Sequence, residues 1–199
     1  MEKTKIDWCD SSWNPVTGCL HSCKYCYARS IANRFSGGGE KWTDDALIEL
    51  NDRIYFDESE KAEAYPYGFK PTLHRYRLNE YEKKSGRNIF VCSMADLFGH
   101  WVPDSWIEEV FSACAKAPQH NYLFLTKNPE RFVDLQNNGK LIAADNMWYG
   151  ASATNEDQLE LAAKAFSELS CQTKTFLSVE PILEDITVSK YWDYCMDAH

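Results

Sequence analysis

The chain has 199 residues, 44% of them hydrophobic and 14% aromatic, enough for one domain with a sizeable core. Its net charge of −9 argues against general affinity for polyphosphate. No apolar run reaches membrane-spanning length, and the opening "MEKTKIDWCD" has no signal-peptide core, so a cytoplasmic protein that meets no membrane is expected.

In chain order, a first strand is expected around "SWNPVTG". It runs into "GCLHSCKYCYAR", where Cys19, Cys23 and Cys26 fall in a C-x3-C-x2-C spacing. "YARSIANRF" reads as a short helix, and "SGGGEKW" breaks it. Residues 36–87 form a polar excursion, in which "DDALIEL" has a helical pattern and "AYPYGFKPTLHRYRL" is irregular. "GGGE" at Gly37–Glu40 follows a helix and is read as a flexible turn.

From Asn88 the pattern becomes regular. "NIFVCSM" is a buried strand, and "PDSWIEEVFSACAKA" is a helix with Trp106, Ile107, Val110, Phe111 and Cys114 at helical spacing. "NYLFLTK" is a strand, and "NPERFVDLQNN" a helix with Asn128 as N-cap and Pro129 just inside it. "NMWYGASA" is a strand, "NEDQLELAAKAFSEL" a helix and "TKTFLSVEP" the last strand. Strands alternating with helices argue for parallel βα units and an α/β fold of one domain over residues 1–199, with about five strands. Polar residues gather just past the strands: Ser93 and Asp96, Thr126 and Lys127, Ser152 and Thr154, and Glu180. In barrels of parallel strands that end carries ligands and catalytic groups. Each of these residues also has a plainer reading as a loop residue or helix cap.

The chain has eight cysteines, and clustered thiols in a reducing compartment point to metal or redox chemistry rather than disulfides. A structural zinc site usually takes four ligands. A four-iron cubane held by three thiolates leaves one iron open to a cofactor. His21 as a fourth zinc ligand, and Cys9 closing a four-cysteine cluster, stand as alternatives. Cys92 and Cys114 are read as core residues, Trp148 and Tyr149 as packing. His100, beside "LFGHW", is kept as a site-edge candidate. Arg75, Arg77, Lys83, Lys84 and Arg87 form a basic run that is either a phosphate contact or a solvated face.

The triplet, with Tyr25 in the aromatic position, resembles the C-x3-C-x-aromatic-C signature of the radical S-adenosylmethionine (radical-SAM) superfamily. "NPVTGCLHSCKYCYAR" is similar to the spore-photoproduct-lyase-like branch. A still closer likeness is to a phage-associated family of radical-SAM-like proteins, through "WNPVTGC", "GFKPTLHRYRL", "IFVCSMADLF", "APQHNYLFLTKNPERF" and "LSVEPIL". The resemblance covers nearly the whole chain. It implies a partial (β/α) barrel of parallel strands. Because the chain passes from "SVEPIL" into "EDITVSKYWDYCMDAH", the last strand is expected to be missing.

The resemblance further implies that Cys19, Cys23 and Cys26 ligate a 4Fe-4S cluster and that S-adenosyl-L-methionine chelates the fourth iron. Reductive cleavage would then release a 5′-deoxyadenosyl radical. Tyr25 would lie near the adenine, and Ser93 and Asp96 would receive the methionyl amine. Ser152 and Thr154 would bond the ribose hydroxyls, Lys127 would pair with a carboxylate or phosphate, and Glu180 would face cofactor or substrate. The implied partners are an external electron donor such as flavodoxin or ferredoxin and a nucleic-acid or nucleotide substrate. The rival functions are a non-enzymatic zinc or iron–sulfur module and a degenerate phage interaction protein.

Overall fold

The computed structural model describes residues 4, 6–36, 46–55 and 61–187. Its main element is a five-stranded parallel sheet built from β1 (Ser11–Trp13), β5 (Asn88–Val91), β6 (Asn121–Thr126), β7 (Met147–Ser152) and β8 (Lys174–Ser178), adjacent in that order. Three helices connect successive strands: α2 (Asp104–Lys116), α3 (Glu130–Asn137) and α4 (Glu156–Ser167). The βα repetition expected from Asn88 onward is present.

Each strand divides its side chains by the two-residue period of the pleat. On β6, Tyr122, Phe124 and Thr126 are buried toward the helices, while Leu123 and Leu125 on the opposite face are only half-buried. The helices turn apolar faces to the sheet, Trp106, Ile107, Val110, Phe111 and Cys114 from α2 and Phe132 and Leu135 from α3. Phe98 lies at the centre of this layer, its ring meeting those of Phe111, Phe124, Phe132 and Tyr149. On the other face Trp8 touches both Phe90 and Phe176, at 4.7 and 5.9 Å between ring centroids, although three strand spacings separate β5 from β8.

The described residues of the excursion are more ordered than their sequence suggests. β2 (Val16–Thr17), β3 (Ile48–Leu50) and β4 (Thr72–His74) form a second sheet in the order β2-β4-β3, antiparallel between β2 and β4 and parallel between β3 and β4. The helix expected over "DDALIEL" is therefore corrected to a strand at Ile48–Leu50. Long-range pairing overrides the local pattern. The Ile48 amide donates to Pro71 O, and Glu49 is held by Trp106 Nε1 at 2.7 Å and by Arg75 at 2.8 Å. "GGGE" and Cys195 lie outside the described residues.

Four of the five residues of the basic run are built into the fold, and Lys83 is exposed. Arg75 pairs with Glu49 and Glu109, Arg77 donates to Asn14 O and Ala64 O, Lys84 lies over Tyr81, and Arg87 donates to Ser11 Oγ. Asn128 is also reassigned. Its Nδ2 donates to Phe98 O, and α3 starts after Pro129 with no side-chain cap. Cys92 and Cys114 are core residues as expected, and Tyr149 is fully buried, whereas Trp148 is 37% exposed. No helix among the described residues is long and apolar enough to cross a membrane.

Candidate metal centre

The cysteine loop begins where β2 ends. Gly18 adopts φ +84°, and a Cβ there would run into the carbonyl of Lys70, so the position requires glycine. Gly18 N donates to Met94 O at 2.9 Å, and Gly18 pairs in parallel with Ala95. The loop therefore leaves the fold beside the turn that follows β5, at the carboxyl end of the parallel sheet. Asn14, just past β1, fastens the same turn by accepting from Ser93 Oγ at 3.2 Å and Met94 N at 2.8 Å.

The three thiols of this loop are free and half-buried. Burial pushes the Cys19 thiol up to about 12, and Asp96, Cys23 and Cys26 add to the shift, which makes the other two cysteines its electrostatic neighbours. Cys26 is the N-cap of α1 (Tyr27–Arg34), its Sγ accepting from Arg29 N at 3.4 Å, so this sulfur faces the positive end of the helix. Burial favours the neutral thiol at Cys19, and a thiolate there would require a cation such as a thiophilic metal beside it. No three described His, Cys, Asp or Glu side chains converge on a single point as ligands of one ion. The donor set, three soft sulfurs on one loop, suits an iron–sulfur cluster in its chemistry.

The expected site residues divide. Tyr25 and Lys127 meet, with the Lys127 ammonium 5.4 Å from the Tyr25 ring centroid. This joins the cysteine loop to the end of β6. Ser152 and Ser178 are paired in register at the ends of β7 and β8. Glu180 is exposed and, with Ser178, borders a cavity of about 570 Å³ walled by Trp8, Leu123, Trp148 and Phe176.

Two residues do not fit the ligand contacts expected of them. Thr154 is buried, and both its amide and its hydroxyl donate to Gln158 Oε1, at 2.8 and 3.0 Å. Beside the Asn155 N-cap, this makes it part of the start of α4 rather than a ribose contact. Asp96 is 5% exposed and accepts four hydrogen bonds from the protein: Thr126 Oγ1 at 2.7 Å, His21 Nε2 at 2.7 Å, Lys127 N at 2.9 Å and Phe98 N at 3.1 Å. Its oxygens are spent inside the protein, which does not suit reception of a methionyl amine. Ser93 is turned to Asn14, while its carbonyl accepts from Tyr27 OH at 3.0 Å. His100 is exposed, with its ring against Trp101.

Asn14 and the bond between His21 and Asp96 were missed in the sequence. The second joins residues 75 positions apart, and no local pattern signals it. Asn14 stands in the run that carries the family resemblance, but nothing in that run names its partners Ser93 and Met94.

A family model described as "Protein of unknown function (DUF5131)" matches residues 3–194. No curated protein and no solved structure matches the chain. The match spans almost the entire sequence, and the chain belongs to the DUF5131 family of proteins of unknown function.

Proposed function

We propose that this protein is a radical-SAM iron–sulfur enzyme on a partial (β/α) barrel. The supporting observation is the seating of three neighbouring thiols on one loop, at the carboxyl end of a parallel sheet whose strands follow one another in chain order. Cys19, Cys23 and Cys26 would hold a 4Fe-4S cluster, which when bound would supply the electron for reductive cleavage of S-adenosyl-L-methionine.

The residues divide the work. Cys19, Cys23 and Cys26 hold the metal, and Gly18 permits the turn that presents them. Tyr25 offers a flat ring at the rim, and Lys127 beside it offers a cation to a carboxylate or phosphate. Ser152 and Ser178 stand at the far strand ends, and the cavity that Ser178 and Glu180 border runs along the open face of the sheet to Asn88 and Asn121, with room for a substrate. A nucleic-acid or nucleotide substrate and a flavodoxin- or ferredoxin-like electron donor complete the proposal.

The test is anaerobic reconstitution with iron and sulfide. The wild type is expected to hold about four irons, the Cys19→Ala, Cys23→Ala and Cys26→Ala variants to lose the cluster, and Cys9→Ala to keep it. Retention of a full cluster by all three loop variants would refute the ligand assignment.

One observation favours a second reading. Metal-bound histidines usually give their other ring nitrogen to a carboxylate, as His21 Nε2 does to Asp96. The three thiols with His21 Nδ1 would make a closed zinc site of a non-enzymatic module. Stoichiometric zinc in the purified protein, unchanged by iron and sulfide, would establish that reading instead.

A further inference from the structure

We infer that Asp96 is a positioning residue, which straps the metal-ligating loop through His21 to the strand ends that carry Lys127. The inference rests on the cysteine loop being the cluster site. One buried carboxylate accepts from three separate segments: the loop between Cys19 and Cys23, its own turn after β5, and the end of β6. His21 contributes the only side chain of the cysteine loop among these four donors. Its ring also stands edge-on to Trp101, 4.8 Å between centroids, so both its direction and its depth are set.

The end of β6 is held by the same oxygens. Asp96 Oδ1 receives the Thr126 hydroxyl and Oδ2 the Lys127 amide, and Asn128 N in turn donates to Thr126 Oγ1. Lys127 is thereby fixed at its backbone while its ammonium lies over Tyr25 of the cysteine loop. Loop and strand end are tied twice, once through a buried carboxylate and once through a cation on a ring. The geometry keeps the thiols and the Lys127 cation in one register.

The decisive variant is His21→Ala, because it cuts the strap and leaves three bonds to Asp96 in place. His21→Gln is its rescue, since the amide can donate to Asp96 but is a poor metal ligand. Each protein is checked for an unchanged melting temperature and then followed in two ways. The first is loss of iron from the anaerobically reconstituted protein to a chelator, with the electron paramagnetic resonance spectrum of the reduced cluster. The second, in metal-free protein, is the rate of Cys19 alkylation by a maleimide.

His21→Ala is expected to lose iron about tenfold faster, to broaden the cluster spectrum and to expose Cys19, and His21→Gln to restore all three. Wild-type behaviour of His21→Ala in every readout would overturn the inference. Failure of His21→Gln to rescue would overturn it too, by making His21 a ligand rather than a strap. If the wild type takes up no iron, the iron–sulfur function fails. The strap then stands only if alkylation of Cys19 rises in His21→Ala and falls back in His21→Gln.

Discussion

Gly18 is the residue at which β2 gives way to the cysteine loop. Its positive φ and its contact with the Lys70 carbonyl leave no room for a side chain. Gly18→Ala is therefore expected to cost about 2 kcal/mol or more in urea unfolding; an unchanged midpoint would show that the backbone relaxes freely there. At this scale the sequence was informative where function is local. The three thiols and Tyr25 lie within one short run, and that run carries the resemblance on which the proposed cluster rests. It was uninformative where function is a contact. Asp96 was singled out for standing past a strand, but its partners His21, Thr126 and Lys127 come from elsewhere in the chain. Thr154 stood in an equally suggestive place and proved to be bonded to Gln158 at the start of a helix.

Among the elements, the small sheet β2-β4-β3 depends on a buried histidine. His74 is fully buried, with Nε2 2.8 Å from Thr17 Oγ1 and Nδ1 3.1 Å from Tyr76 OH. Burial, helped by the charge of Arg77, pushes its pKa down to about 2. The unfolded chain takes up this proton near pH 6.5 and the folded one does not. The stability His74 contributes is thus present above about pH 6.5 and is lost as pH falls below it, by up to about 1.4 kcal/mol per pH unit. Urea unfolding at pH 7.5 and 5.5 is expected to show a steeper loss for the wild type than for His74→Gln; parallel losses would refute the assignment. In the larger layer Phe98 bridges the sheet to α2 and α3 through four aromatic contacts. Phe98→Ala is expected to cost about 3–5 kcal/mol, read from the same unfolding curves; a loss below about 1 kcal/mol would mean that the cavity collapses.

For the whole molecule, chain order and strand order agree across β5, β6, β7 and β8, and that part of the fold was readable. Each unit couples a short β-branched or aromatic strand to a helix whose apolar residues recur at three and four positions. The second sheet was not readable, because strands of two or three residues carry too little periodicity and are defined by partners such as Leu73 for Val16. Both sheets converge on one place. β2 delivers Gly18 to the turn after β5, and the strand ends of β6, β7 and β8 bring Lys127, Ser152 and Ser178 to the same edge. We propose that this edge supports reductive cleavage of S-adenosyl-L-methionine. The direct measurement adds S-adenosyl-L-methionine and dithionite to the anaerobically reconstituted protein and quantifies 5′-deoxyadenosine by liquid chromatography. The nucleoside should form with the wild type and be absent from Cys19→Ala, Cys23→Ala and Cys26→Ala; a fully loaded wild type that forms none would contradict the claim.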